Sequence, residues 1–234
     1  MAAPVPEFIL TLLQKTIIAR DVLEFRFTKP AGFIFKAGQF LQFKVPTETG
    51  MVLRSYSIAS APKDDYIEIC LKVLPNGKAS VFLSALEVGD DAVVQGPEGH
   101  FVCKDEHAKH KIFIATGTGL APIMSMVPDQ LAIAREGAQV HVLFGVRNEA
   151  DLFWVDRLSG FGKQYQHFTH QVTLSQPDQP TGWQGLTGRV TAHVPHHHLE
   201  AEYYVCGSLE MVKDVRKILV DKGVPMKQIH FEIF

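Results

Sequence analysis

Ala115-Thr116-Gly117-Thr118-Gly119-Leu120-Ala121-Pro122 is the stretch on which the reading of this chain turns. A buried strand runs through two glycines into a helix, which brings backbone N–H groups and the positive helix end toward one point. Such a point suits a pyrophosphate. The stretch departs from the dinucleotide pattern G-x-G-x-x-G because Pro122 stands at the third position, so a tight strand–helix turn without a ligand explains these residues equally well. Thr116, Gly117, Thr118, Gly119 and Pro122 are nevertheless the first candidates for a nucleotide site.

Downstream, short apolar runs alternate with helix-length segments. The runs are Ile112 to Thr116, Val140 to Val146, Gln171 to Ser175, Tyr203 to Cys206 and Ile229 to Phe234. This alternation predicts a parallel sheet of five strands with helices on it. Pro122 suits the first turn of one helix and Gly137 its stop; Ser208 is an N-cap for another and Gly223 its stop.

Upstream the period changes. Phe8 to Ile18, Val22 to Thr28, Gln39 to Val45, Leu53 to Ala59, Tyr66 to Leu74 and Ala92 to Gln95 read as six strands, with one short helix over Ser80 to Leu86. Turn signals at Lys29-Pro30-Ala31-Gly32, Pro62-Lys63-Asp64-Asp65 and Pro75-Asn76-Gly77 permit hairpins, hence an antiparallel barrel or sandwich. The charged stretch Lys104 to Lys111 separates the two patterns, which divides the chain into domains 1–103 and 104–234.

Composition agrees with two modest cores. The chain has 234 residues, 46% of them hydrophobic, and 23 basic against 25 acidic residues with no long block of either sign. That balance argues against nucleic acid or an anionic membrane as partner. MAAPVPEFIL has no basic segment leading into an apolar one, and no apolar run approaches the ~20 residues of a membrane helix. We expect neither a signal peptide nor a membrane span. Cys70, Cys103 and Cys206 stand too far apart for a C-x-x-C pair, so we expect reduced thiols, a cytoplasmic protein, and no zinc or iron–sulfur site. The triplet His196-His197-His198 points its side chains in different directions and reads as a solvated loop; Trp154 and Trp183 read as packing residues.

Three further segments carry chemistry. Arg54-Ser55-Tyr56-Ser57 offers a guanidinium, a flat ring and a hydroxyl on one strand, with Arg54 and Tyr56 on the same face by alternation. Gly77-Lys78-Ala79-Ser80 precedes the short helix and can present amides to a phosphate, or form an ordinary hairpin loop and cap. Cys206-Gly207-Ser208 closes a strand at the carboxyl edge of the parallel sheet, where ligands of such sheets bind.

In this order, RSYSIAS, CLKVL, GKAS, GPEG, ATGTGLAP, YVCGS and FEIF resemble the ferredoxin–NADP⁺ reductase family over nearly the whole chain. The resemblance implies a six-stranded antiparallel β-barrel holding FAD, followed by a five-stranded parallel α/β domain holding NADH or NADPH. It implies that Arg54 pairs with the FAD pyrophosphate, that Tyr56 lies against the flavin, and that the Ser57 hydroxyl sits near flavin N5. Leu71 and Lys72 would line the FAD site, and Gly77, Ala79 and Ser80 would meet its second phosphate. Thr118 would touch flavin and nicotinamide, with Thr116, Gly117, Gly119, Pro122 and Gly207 shaping the dinucleotide turn. Cys206 and Glu232 match the pair that flanks the nicotinamide. Phe234 stands where plant-type members carry a Tyr over the flavin, and it can stack but has no phenol to donate.

The implied activity is hydride transfer between nicotinamide and FAD, with Ser57, Cys206, Glu232 and Phe234 as the catalytic set, and single electrons passed on to a ferredoxin, a flavodoxin or an oxygenase component. NADPH-specific relatives place an Arg after the Ser that ends the third strand of the second domain. Here Ser175 is followed by Gln176, which favours NADH, although Arg147 lies within reach of a 2′-phosphate. Two other functions fit the same residues: an NAD(P)H:flavin reductase that uses flavin as a substrate, and a non-catalytic subunit that uses the fold only to bind a partner.

Overall fold

The computed structural model describes residues 5–104, 108–133, 138–178, 182–196 and 200–234. The first domain is built from β1 (Glu7–Ala19), β2 (Val22–Thr28), β3 (Phe40–Thr47), β4 (Gly50–Ser57), β5 (Tyr66–Lys72), α1 (Lys78–Ala85) and β6 (Asp91–Glu98). Its strands form one antiparallel sheet in the order β4-β3-β6-β1-β2-β5. Two-residue side-chain alternation decides what the sheet encloses: Leu10, Leu12, Phe25, Phe27, Leu41, Phe43, Ile67, Ile69 and Val94 all point inward to one apolar cluster. The edge strands β4 and β5 come close to one another, so the sheet curls toward a barrel.

The second domain contains β7 (His110–Thr116), α2 (Leu120–Ile133), β8 (Gln139–Val146), α3 (Val155–Gln164), β9 (Phe168–Leu174), β10 (Leu186–Thr187), β11 (Glu202–Gly207), α4 (Leu209–Asp221) and β12 (Ile229–Ile233). Its sheet runs β10-β9-β8-β7-β11-β12, and every pairing in it is parallel. Six strands replace the expected five. The extra one, β10, pairs only through Leu186 and Thr187 with Thr173 and Leu174, too short a run to show a period. Among the described residues, no helix is long and apolar enough to cross a membrane.

Other differences have local causes. α3 carries no sequence signal because Trp154 caps it at φ 55°, in place of a Ser, Asp or Pro, and Gly160 and Gly162 interrupt it. α2 starts two residues before Pro122, which puts the proline inside the first turn where its missing N–H costs nothing. The expected stop, Gly137, lies outside the described residues, as do His197 and His198. Strand β4 starts three residues and ends two residues earlier than read, at Gly50–Ser57, because beyond it Ile58 enters the barrel core while Ala59 and Ser60 pack at the junction with the second domain.

That junction is a continuous core rather than a linker. Val22, Ala37, Ala59, Cys70 and Phe101 of the first domain pack in one cluster with residues of β7, β8, α2 and α3. α4 covers the opposite sheet face. A Cβ on Gly38 would stand 2.0 Å from the Phe101 carbonyl oxygen and 2.5 Å from Met126 Cε, so only glycine admits α2 this close. Ser125 Oγ of α2 donates to the Ser60 carbonyl at 2.7 Å in the same buried seam.

Candidate active site

The carboxyl ends of β7, β8, β9 and β11 open onto a cleft of about 540 Å³. Its floor is backbone. Gly117 takes φ 54° with open space where a Cβ would go, so the chain there is bare toward the cleft. Gly119 is the reverse: a Cβ would lie 2.3 Å from the Cys206 carbonyl oxygen, so glycine alone lets the β7 turn touch the end of β11. Gly207 completes the contact, at φ 151° and with its Cβ position 2.3 Å from Thr116 Oγ1. The first turn of α2 and that of α4, where Ser208 Oγ accepts from Met211 N at 3.3 Å, both begin at this floor. Thr116, Gly117, Thr118, Gly207 and Ser208 line the cleft, whereas Pro122 is buried beneath the turn.

One wall comes from the first domain. Arg20, Asp21, Val22 and Lys72 face the cleft. The β1–β2 turn is tied to the second domain by the Arg20 amide on the Ala150 carbonyl at 2.8 Å and by the Arg20 guanidinium on Asn148 at 3.0 Å. Phe234, just beyond β12, also lines the cleft with 58% of its surface exposed.

Next to Phe234 the two domains touch through polar groups. Ser57 Oγ donates to Glu232 Oε2 at 3.3 Å, and Glu232 is the register partner of Cys206 across β11 and β12. Burial holds the Glu232 carboxyl above the usual carboxylate range, opposed by the Ser57 hydrogen bond. Burial, and then the Glu232 charge, pushes the Cys206 thiol well up, so it stays protonated. Cys206 is fully buried and is not a wall of the cleft; its sulfur belongs to the interdomain core. Glu232 faces a second, open crevice with Phe40, Phe101 and Phe231.

On the first domain, β4 is an edge strand, so its core-side face opens at the rim. Arg54 and Tyr56 pair with Phe43 and Leu41 and share that face, as alternation requires. Tyr56 packs edge-on against Phe43, with centroids 5.7 Å apart. Arg54 is exposed, bonds only the neighbouring Leu53 carbonyl, and has no carboxylate partner among the described residues. Ser80 differs from its expected use: its Oγ is buried and accepts from Leu74 N at 2.9 Å, which leaves the first-turn amides of α1, after Gly77, as the outward donors. Ala79 is buried beside it. Leu71 is 1% exposed and points into the barrel core, so only its backbone is available to a ligand, whereas Lys72 is exposed. An unpaired guanidinium, a half-buried ring and a row of helix amides fit a flavin dinucleotide.

At the far end of the cleft, Gln176 N bonds the Arg147 carbonyl at 2.7 Å and Ser175 N bonds that of Val146 at 3.0 Å. Arg147 and Ser175 face the cleft; Gln176 is exposed beside it. Arg189 also faces it, which sequence reading missed. It follows the two-residue β10, and only the Gly188-Arg189 turn after Leu186-Thr187 hinted at a strand end.

A two-domain flavin- and nicotinamide-binding oxidoreductase is the class that this fold and cleft define. Residues 9–103 match the oxidoreductase FAD-binding domain and residues 113–217 the oxidoreductase NAD-binding domain. The chain is 34% identical over 226 residues to ferredoxin–NADP reductase B of Sorangium cellulosum, covering 90% of this chain and 91% of that protein. It belongs to the ferredoxin–NADP reductase family. A second relative is the reductase component of propane 2-monooxygenase from Rhodococcus jostii, 31% identical over 93% of this chain but only 60% of its own length. The Amycolatopsis cytochrome P450 reductase GcoB has a similar structure, with a TM-score of 0.86 and 26% identity over the whole of this chain and 72% of that one.

Proposed function

We propose that this chain is an FAD-dependent NAD(P)H oxidoreductase that delivers electrons to a ferredoxin, a flavodoxin or an oxygenase component. The observation that carries it is the Ser57–Glu232 hydrogen bond, which joins the candidate flavin strand to the last strand of the second domain, next to Phe234. Bound FAD supplies the two-electron and one-electron chemistry. The chain binds and orients: residues 1–103 hold the flavin through Arg54, Tyr56, the α1 amides and Lys72, and residues 104–234 hold the dinucleotide on Thr116 to Gly119 and Gly207. Ser57 and Glu232 keep a polar, proton-holding pair at the reacting edge, and Cys206 lies beside Glu232 on the neighbouring strand. Purified protein should release FAD on denaturation, and NADH or NADPH should bleach it without oxygen. Flavin lost on gel filtration would instead favour a flavin reductase. Retained flavin that neither dinucleotide bleaches would mark a non-catalytic subunit.

Gln176 favours NADH, but Arg147 and Arg189 both face the cleft beside Ser175, and neither has an ion-pair partner among the described residues. We therefore infer weak selectivity, with kcat/KM for the two dinucleotides within about tenfold. Arg189→Ala should lower kcat/KM for NADPH by about tenfold and leave NADH unchanged. Equal losses with both dinucleotides would place Arg189 elsewhere than at the 2′-phosphate.

A further inference from the structure

Outside the lining of the cleft, the interface between the domains contains charge where apolar side chains are the rule. Glu68 is 0% exposed and Glu24 is 7% exposed. Alternation puts them there: Phe25, Phe27, Ile67 and Ile69 turn into the barrel, which sends Glu24, Arg26 and Glu68 outward against the second domain. The register sets Arg26 opposite Glu68, and Arg26 Nε donates to Glu68 Oε2 at 2.8 Å. From α3, Arg157 Nη1 donates to Glu68 Oε1 at 2.7 Å and lies 3.6 Å from Glu24 Oε2. Trp154 Nε1 donates to Glu24 Oε2 at 2.6 Å, and the Arg157 guanidinium stacks on its ring at 4.8 Å. Two carboxylates thus meet two guanidiniums, one from each domain, and the charges cancel.

Apolar surfaces slide past one another at little cost, but a buried carboxylate bonded from both sides does not. Two further observations tie this network to the site. Trp154 holds φ 55°, a region that a bulky residue avoids, and in that conformation its indole reaches Glu24. The network also adjoins the cleft on both sides. Val22 and Lys72, which wall the cleft, lie two residues before Glu24 and four after Glu68 on the same strands, about 7 and 13 Å along them. Phe153, another wall, directly precedes Trp154.

We propose that Arg157 and Trp154 are positioning residues for hydride transfer: through Glu68 and Glu24 they fix the nicotinamide cleft in register with the barrel that presents Ser57. This inference rests on the function proposed above. Its test uses the FAD-loaded protein, two disrupting variants and one conservative variant, Arg157→Lys. Glu24→Gln with Arg157→Met removes one charge of each sign and leaves Arg26–Glu68 intact; Trp154→Phe removes only the indole donor. Anaerobic stopped-flow should show the limiting rate of flavin reduction falling by about ten- to a hundredfold in the double variant, while dinucleotide Kd moves by less than about threefold. Amide exchange across β2, β5 and the start of α3 should quicken in both variants, and Arg157→Lys should restore part of the rate. An unchanged limiting rate with a lower Tm would reduce the network to a staple and overturn the proposal. So would unchanged exchange at the interface. If the wild-type flavin is not reduced by either dinucleotide, the functional reading fails instead; the exchange comparison, which needs no turnover, then decides alone whether the network registers the domains.

Discussion

Gly117 and Gly119 form the floor of the cleft, Arg54 and Tyr56 stand on the edge strand of the barrel, and the two regions are made of different material. The cleft is built from strand ends, helix amides and positions where a side chain is excluded. The candidate flavin face carries Arg54, exposed and bonded only to its neighbour's carbonyl, beside Tyr56, which packs on Phe43. Altering the cleft floor therefore disturbs the protein, whereas altering Arg54 disturbs only what the protein holds. The sharpest test lies within the cleft itself. Gly119→Ala drives a Cβ to 2.3 Å from the Cys206 carbonyl oxygen, between two backbones that cannot yield, and should cost about 3 kcal/mol or more in urea unfolding. Gly117→Ala meets open space and pays only for its left-handed φ of 54°, about 1–2 kcal/mol. Equal costs at the two positions would mean that the contact between Gly119 and the end of β11 can yield.

On the barrel the effect should appear in the ligand and not in the fold. Arg54 is exposed and bonds only its neighbour's carbonyl, so Arg54→Ala should leave urea unfolding of the flavin-free protein unchanged. It should lower FAD affinity by about ten- to a hundredfold, the loss of one charge-assisted phosphate contact at about 1.5–3 kcal/mol. Flavin titration by fluorescence quenching reads this directly. Unchanged affinity would remove Arg54 from the site.

The same contrast explains what could be read from sequence. Alternating runs and glycine turns revealed both domains, because period-2 burial and positive φ leave marks in any sequence; Phe25, Phe27, Gly117 and Gly119 are examples. α3 and β10 left none, since one is capped by Trp154 and the other is two residues long. In the site, Ser57 and Glu232 are 175 residues apart, and motif resemblance named both, but nothing local could show that they touch. At Ser80 and Leu71 the motif is present, and what it does not reveal is that burial turns one hydroxyl to Leu74 and one side chain to the core. Arg189 and Arg157 stayed invisible because their places in the cleft and at the domain interface come from tertiary packing alone.

Ser57 and Glu232 lie where the two kinds of region meet, and their effect should be intermediate. Glu232 has its carboxyl raised by burial, so the folded chain binds that proton more readily than the unfolded chain does. Its contribution to stability is present below the ordinary value of 4.5 and is lost as pH rises through the folded value. Glu232→Gln should therefore raise Tm at about pH 7 and leave it nearly unchanged at about pH 3.5. The pH profile of flavin reduction should lose one inflection in the same variant. A Tm difference of the same size at both pH values would show that the substitution acts through packing.

The smallest effect should come from Phe234, the one aromatic side chain that faces the cleft from beyond β12. Its ring is 58% exposed, and its one backbone bond among the described residues is a long 3.4 Å contact from its amide to the Gly207 carbonyl, so core packing does not hold it in place. Under the function proposed above, this ring and nicotinamide compete for one surface, since two rings cannot stack on the same face of the same partner. Nicotinamide then displaces it, and part of the binding energy offsets the lost aromatic contact, about 0.5–1.5 kcal/mol. Phe234→Ser should then tighten dinucleotide binding by about two- to tenfold, with a long-wavelength charge-transfer band on mixing and no change in Tm or in flavin content. The gain should appear in affinity while turnover slows, because a nicotinamide that is not displaced leaves late. Unchanged affinity together with a lower Tm would mean that the ring serves the fold and not the ligand.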